Sequence, residues 1–243
     1  MPTNYTAVFQ DPKAVEKYAE ETYAAGTFSS QVSRRQEEWL RGFVTEAFDT
    51  APVHHDFACG TGRAMRMLEG VVAESHGYDT SEAMLSKARS IGTPGVLHHI
   101  GEIGGLPTSA KRPAIVTMFR LLLNASPQVR DRALEFAAGM LPDADAGVLI
   151  CENHGHSRSL RKLRKVLGRP GDWFRELSHP EVEGLFERHG FELATVQGFT
   201  LLTRGFYERP PFKWVAPAVD SALARSRWGT RYASDVLYVA RRM

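Results

Sequence analysis

The stretch "VHHDFACGTGRAMRMLE", residues Val53–Glu69, decides the fold. Its apolar start is typical of a buried strand that ends near Asp56. Gly60 and Gly62 follow, and a run with helical spacing begins near Arg63. Glycines at a strand-to-helix turn let the backbone turn sharply and approach a ligand closely, because they carry no Cβ. The helix after the turn directs its free N–H groups at the same point. The stretch therefore predicts a ligand-binding strand–turn–helix unit.

A second acidic residue restricts the class of ligand that this unit can bind. A dinucleotide fingerprint, G-x-G-x-x-G, needs a third glycine where this chain has Met65, which argues against a dinucleotide. Asp79 ends the next strand-like run and follows Asp56 by 79 − 56 = 23 residues. An acid at that distance reaches a ribose across the first two strands, so the pattern favours an adenosine-type ligand with a free ribose.

Strand and helix patterns alternate from Val53 onward and predict a doubly wound, mostly parallel α/β sheet. Such sheets bind ligands at the carboxyl ends of their strands. We expect residues 1–243 to form a single domain. A helical segment at 1–50 precedes the sheet, and insertions at 157–177 and 201–232 form a substrate cap.

The best-marked helix lies late in the chain, in "SHPEVEGLFERHG". Ser178 is the expected N-cap, Pro180 suits the first turn, and Glu181 stands at the capping-box position. Gly190 is the expected end of this helix.

Composition and charge indicate an ordinary soluble protein. The chain has 243 residues, 43% of them hydrophobic, and a formal net charge of +2, too small to indicate nucleic-acid binding. We find neither a signal-peptide layout nor a membrane-length apolar run, and Cys59 and Cys151 lie in apolar runs that suggest buried thiols. We therefore expect a cytoplasmic protein, a monomer or homodimer, with no membrane partner. The basic helical pattern at 158–169 is either a solvated face or a docking surface for an acidic or phosphorylated substrate.

Three motifs resemble those of class I S-adenosylmethionine-dependent methyltransferases: "DFACGTGR" at 56–63, "GYDTSEAML" at 77–85 and "HHIGEIGGLP" at 98–107. The resemblance implies a Rossmann-like sheet of seven strands in the order 3-2-1-4-5-7-6, with the last strand antiparallel. It also implies S-adenosylmethionine as cofactor and S-adenosylhomocysteine as product. Two departures are mild: Ala58 stands where the family often has Gly, and Glu102 where it often has Asp.

By this resemblance, Gly60 and Gly62 lie under the methionine moiety, Asp79 holds the ribose, and Glu102 and Ile103 hold the adenine. From the N-terminal segment, Tyr18, Tyr23 or Arg34 closes over the methionine end. The remaining expected cofactor contacts are Asp56, Ala58, Cys59, Thr80, Met84 and Phe119.

Candidates for the chemistry follow strands four and five. His154 and His156 titrate near neutral pH and are candidate general bases, with His154 preferred, or else loop histidines that cap the next helix. Arg120 either fixes an acidic substrate group or pairs with a neighbouring carboxylate. The other expected substrate contacts are Asn124 and the aromatic side chains Phe206, Tyr207, Phe212 and Trp214 of a loop lid.

We expect no metal site. The adjacent pairs His54–His55 and His98–His99 lie on strands, so the two side chains of each pair point to opposite faces and cannot share one ion. The leading hypothesis is metal-independent methylation of a hydroxyl or amine on a small molecule, a sugar or secondary metabolite. The alternatives are methylation of a macromolecule or carrier-bound acidic substrate docked at 158–169, and a non-catalytic protein that binds the cofactor or a nucleotide.

Overall fold

A computed structural model describes residues 10–16, 26–101, 105–108, 111–154, 177–208 and 210–243; for residues 154, 225 and 227 it describes the backbone only. Its centre is a seven-stranded sheet in the order β3-β2-β1-β4-β5-β7-β6. The strands are β1 (Val53–Phe57), β2 (Glu74–Asp79), β3 (Val96–His99), β4 (Ala114–Met118), β5 (Gly147–His154), β6 (Phe191–Thr200) and β7 (Asp235–Arg242).

Strand directions match the expected pattern. Strands β1 to β5 are parallel to one another, and β7 is antiparallel to both β5 and β6. This direction places the carboxyl ends of β1, β2, β4, β5 and β6 at one edge of the sheet. Order and direction confirm the predicted fold class.

Helices cover both faces of the sheet. The helices are α1 (Phe28–Ala47), α2 (Arg63–Met67), α3 (Glu82–Ser90), α4 (Pro127–Met140), α5 (His179–Arg188), α6 (Arg204–Glu208), α7 (Ala216–Arg225) and α8 (Arg227–Thr230); residues 12–16 are also helical. One face packs on α1 and α2, where Leu40 and Leu68 are fully buried. The other packs on α4 and α5, where Phe136 and Phe186 are fully buried.

Local signals set several element ends. Ser178 caps α5 and forms the predicted capping box with Glu181. Helix α2 begins at Arg63, as expected, but ends at Met67 after only five residues. That the whole chain forms one domain stays a prediction, and most of the expected insertion at 157–177 lies outside the described residues.

The insertion at 201–232 differs from the expected loop lid. It folds into α6, a 3₁₀ turn at Phe212–Trp214, α7 and α8. The sequence pattern was misleading because these helices are short, and because α7 has apolar residues on its exposed side as well as its buried side. Within the described part of the chain, no helix is long and apolar enough to cross a membrane.

Candidate functional site

The glycine turn after β1 has an unusual backbone. Ala58, Gly60 and Gly62 all have positive φ angles, of 56°, 56° and 77°. At Gly62 an added Cβ would lie 2.2 Å from the Cγ2 atom of Thr93, so glycine is required there for space as well as for conformation. At Gly60 the nearest atom to an added Cβ is the Met84 sulfur, 3.9 Å away, so one side of the turn is open. The backbone thus leaves room for a ligand at Gly60.

Asp79 holds this turn in place. Its Oδ2 accepts the Gly60 N–H at 2.7 Å, and its Oδ1 accepts the Ser81 N–H at 2.8 Å. Burial raises the pKa of this carboxyl, and backbone hydrogen bonds from Ser81, Gly60 and Thr80 counteract part of that rise. The acid predicted to hold a ribose therefore lies directly beside the glycine turn.

Asp56 is buried under the turn at the end of a polar chain. The Thr117 hydroxyl donates to Asp56 Oδ1 at 2.6 Å, His54 Nε2 lies 2.8 Å from Thr117 Oγ1, and Ser75 Oγ lies 2.8 Å from His54 Nδ1. Burial raises the pKa of Asp56 to about 7 and lowers that of His54 to about 3. With His54 neutral, its Nε2–H donates to Thr117 and its Nδ1 accepts from Ser75, so both ring nitrogens of His54 have a partner.

The paired histidines separate as predicted. His54 takes part in this polar chain on one face of the sheet, whereas His55 stacks on His76 on the other face. Neighbouring residues in a strand project to opposite faces, so the two rings cannot meet. No group of three or more His, Cys, Asp or Glu placed to hold a metal ion occurs among the described residues.

A buried ionic network, which sequence reasoning missed, joins α1, α2 and β5. Arg63 bonds to the carboxylate of Glu152 and donates to Gln36 Oε1 at 2.9 Å. Gln36 donates to the other Glu152 oxygen at 2.8 Å, and the Arg63 guanidinium lies 4.9 Å from the ring centre of Phe119. This network fixes the first residue after the glycine turn and buries Phe119, an expected cofactor contact, beneath Arg63.

Backbone strain marks the same edge of the sheet. Ala58 and Arg120 are the two non-glycine residues with positive φ among those described, and each follows the end of a central strand, β1 or β4. Such conformations cost about 1–3 kcal/mol and cluster at functional sites. They point to the carboxyl ends of β1 and β4 as the site, a signal that the sequence does not carry.

Asn124 lies close to Arg120 and has a free acceptor. Its Nδ2 donates to the Arg120 carbonyl at 2.7 Å, while its Oδ1 is buried without a hydrogen-bond partner. Buried polar atoms in folded proteins nearly always have a partner, so an unpaired oxygen at this edge suits a ligand that donates a hydrogen bond.

Tyr207 does not have the free position expected of a pocket wall. Its hydroxyl donates to the buried carboxylate of Asp220 and accepts from Arg35 Nη2 at 2.7 Å. Asp220 also accepts from Thr200 and from the backbone of Leu201 and Leu202. Tyr207 therefore anchors the insertion, and no sequence motif had pointed to Asp220.

Other expected site residues are dispersed. Trp214 is 78% exposed, and Arg34 is exposed on α1, where it pairs with Glu38. Met84 and Cys59 are buried beside the turn, and Thr80 lies next to Asp79. The structure describes the backbone of His154, at the end of β5 opposite Asp235, but not its side chain. Outside the described residues lie Tyr18, Tyr23, Glu102, Ile103, His156 and the segment 158–169.

Comparisons with known proteins agree with this fold. No family model matches the chain. A curated relative, the dTDP-3-amino-3,6-dideoxy-alpha-D-glucopyranose N,N-dimethyltransferase of Streptomyces fradiae, is 36% identical over 99 residues. That match covers 40% of this chain and 37% of the relative, so the chain spans little more than a third of the relative's length.

Two solved structures are similar over nearly their whole length. A possible histamine N-methyltransferase from Thermotoga maritima, described as S-adenosylmethionine-dependent, has a TM-score of 0.66 at 17% identity, with 97% of this chain and 99% of that chain covered. The magnesium protoporphyrin IX methyltransferase of Synechocystis PCC 6803, with bound S-adenosylhomocysteine, has a TM-score of 0.57 at 16% identity, with 96% and 100% covered. The chain therefore has the fold of class I S-adenosylmethionine-dependent methyltransferases, which confirms the resemblance seen in the motifs.

Proposed function

We propose that this protein transfers a methyl group from S-adenosylmethionine to an amine of a small molecule, a sugar or other secondary metabolite. The observation that carries the proposal is the open glycine turn, held by Asp79 at the carboxyl edge of a 3-2-1-4-5-7-6 sheet. The sugar N,N-dimethyltransferase relative supports the amine and the sugar. A hydroxyl acceptor is the second candidate, because Asn124 Oδ1 would accept a hydrogen bond from either group.

The residues at the turn fit the cofactor. The Asp79 carboxylate accepts three backbone N–H groups, from Gly60, Ser81 and Thr80, and an ionised carboxylate has about four acceptor sites, so it can also accept a ribose hydroxyl. Gly60 and Met84 would lie along the methionine part, and Glu102 with Ile103 stays the prediction for the adenine. When bound, the cofactor supplies an electrophilic methyl group on a sulfonium, so the proposal needs no metal ion.

The protein's part in such a transfer is to align the acceptor and exclude water. Alignment of two reactants contributes up to about 7–11 kcal/mol to lowering a barrier. Arg120 and Asn124 follow β4, and His154 ends β5, and these positions at the carboxyl ends of two neighbouring strands support a role for all three beside the acceptor. We propose His154 as the group that removes the acceptor's proton, with His156 as the alternative and Arg120 as a contact to an acidic substituent.

Two other functions remain as alternatives. The basic segment 158–169 would dock a macromolecule or a carrier-bound acidic substrate, and a protein that only binds the cofactor would keep the same turn and acids. Both alternative functions rest on the sequence alone, as does the expectation of a cytoplasmic protein. The two cysteines, both free and buried, suit a reducing compartment.

Calorimetric titration with S-adenosylmethionine, S-adenosylhomocysteine and NAD in parallel tests the proposal. We expect micromolar binding of the two sulfur ligands and none of NAD; binding of NAD alone would overturn it. Asp79→Asn should weaken cofactor binding roughly 10-fold or more, since losing charged hydrogen bonds costs about 1.5–3 kcal/mol. The exposed control Asp49→Asn should bind normally.

An acceptor screen then separates catalysis from binding. Turnover is detected as a mass increase of one methylene unit on amino sugars and other amines. His154→Ala should lower turnover roughly 10²-fold or more without changing cofactor affinity, the usual contribution of a general base. Normal turnover in this variant would shift the role to His156, and no turnover with any acceptor would favour the binding protein.

A further inference from the structure

The insertion between β6 and β7 exposes an unusual amount of apolar surface. Of the twelve large hydrophobic side chains that are exposed among the described residues, eight lie between Phe206 and Tyr232. Trp214 and Trp228 are each 78% exposed. Single exposed hydrophobic residues are common on protein surfaces, but a concentration within one short segment indicates a binding surface.

Helix α7 carries much of this surface. Val215, directly before the helix, is followed at spacings of four by Val219 and Leu223, and these three side chains are exposed to similar extents, 58%, 49% and 48%. Asp220 and Ala224 form the opposite, buried side. The other exposed positions within α7 are Ala218 and Ala222, so no charged residue interrupts the outward face among those described. Solvent-facing sides of helices are normally polar, so this apolar face is one that no described residue covers.

The charge composition of the insertion restricts the class of partner. Residues 201–232 contain six basic residues and two acids, a net charge of 6 − 2 = +4. Asp220 is buried and Glu208 pairs with Arg204. A second copy of the chain, joined through this face, would bring +4 against +4 and is disfavoured. The complementary partner is apolar and negatively charged.

We propose that residues 206–232, the docking surface, bind to an anionic lipid membrane. Tryptophan prefers the boundary between headgroups and acyl chains, because its ring is apolar and its N–H is polar. Basic residues are attracted to anionic headgroups, and an apolar helix face is buried at the same boundary. The expectation of no membrane partner rested on the lack of a spanning segment, which this mode of binding does not require.

The docking surface lies on the functional side of the molecule. β6 ends at Thr200, which pairs with Asp235, which in turn pairs with His154 at the end of β5. The insertion therefore leaves the sheet at the edge that carries the glycine turn. Membrane binding does not depend on the proposed function, but it would turn this edge toward the lipid.

Co-sedimentation with vesicles tests the proposal. The full chain is mixed with vesicles of phosphatidylcholine alone, or of phosphatidylcholine and phosphatidylglycerol in equal parts. We expect binding at least roughly tenfold tighter to the anionic vesicles, weakened by high salt, and accompanied by a blue shift of tryptophan fluorescence. No preference for anionic vesicles would overturn the proposal.

Matched variants test the surface itself. The double variant Trp214→Ala with Trp228→Ala should lose at least roughly tenfold in vesicle affinity but keep its unfolding midpoint, because both side chains are exposed. The control double variant Ile91→Ala with Val96→Ala removes exposed apolar side chains beside β3, the strand at the opposite end of the strand order from β6. This variant should bind vesicles normally. Equal binding by both variants, or a dimer in light scattering that the tryptophan variant abolishes, would overturn the proposal.

Discussion

The glycine turn after β1 and the insertion between β6 and β7 share one edge of the sheet, but different groups hold them. In the turn, the Gly60 N–H bonds to Asp79 and the Cys59 N–H bonds to the Tyr78 carbonyl, so the backbone itself is fixed. In the insertion, the carboxylate of Asp220 collects two hydroxyl and two backbone donors. A buried aspartate is an acceptor in both regions, but the turn is also paired backbone to backbone with β2, whereas the insertion gathers four donors on one carboxylate.

The difference has a functional meaning. A turn whose backbone is fixed by the neighbouring strand β2 suits a ligand of constant shape, such as a cofactor. An insertion whose polar contacts centre on one buried carboxylate can change its exposed residues without affecting the sheet. The exposure of side chains differs between the two regions in the same way, because polar groups are buried at the turn whereas apolar side chains are exposed on the insertion.

A substitution of Asp56, the acid buried under the turn, should give the largest change in the free energy of unfolding, and that change depends on pH. The pKa of Asp56 is raised to about 7 in the folded protein from an ordinary value near 4, so the folded state holds the proton more strongly. The contribution of Asp56 to stability is therefore present below about pH 4 and is lost as the pH rises toward 7. His54, with its lowered pKa, changes stability in the opposite direction from about pH 3 to 6.5 and masks this loss.

Asp56→Asn removes the Asp56 titration and keeps that of His54. Relative to wild type, the variant should gain stability as the pH rises from 4 to 7, by up to about 4 kcal/mol, the equivalent of three pKa units. Denaturant unfolding of both proteins across this range measures the difference. A difference that stays constant with pH would show that Asp56 titrates normally.

In the insertion, Asp220→Ala should destabilise the protein by about 3 kcal/mol. The change leaves two buried backbone N–H groups and two hydroxyls without their acceptor, and each such loss costs about 1–3 kcal/mol before relaxation. The control is Asp143→Ala, which removes an exposed carboxylate paired with Arg112 and should cost less than about 1 kcal/mol. Equal unfolding free energies for the two variants would mean that Asp220 does not anchor the insertion.

Two glycines with nearly the same positive φ angle separate the packing at the turn from its backbone conformation. Gly62 and Gly70 have φ angles of 77° and 79°, but only an added Cβ at Gly62 would collide, with Thr93. Both Gly62→Ala and Gly70→Ala should cost about 1–2 kcal/mol for the left-handed backbone. Gly62→Ala should cost about 1–3 kcal/mol more for overpacking, as measured by chemical denaturation. Identical losses would show that Thr93 yields without cost.

The local motifs predicted most of the sheet and the position of Asp79 beside the glycine turn. The pattern from Val53 to Glu69, the acid Asp79 and the capping box at Ser178 each act over a few residues or between neighbouring strands, so their spacing alone identified them. The strand order was predicted from the resemblance of those motifs to methyltransferase motifs. The short α2 and the helices of the insertion were missed, since neither has the length that makes a periodic pattern distinct.

The sequence by itself therefore determined the fold class, the glycine turn and the acid beside it. Only the tertiary structure decided that Gln36, Arg63 and Glu152 form one buried network, that Asp220 anchors the insertion, and that Arg120 is strained. Gln36 and Glu152 are 116 positions apart and meet only because α1 packs across the sheet beside β5. Local spacing encodes hydrogen bonds between near neighbours, whereas contacts between distant residues depend on strand order and packing, which no short motif contains.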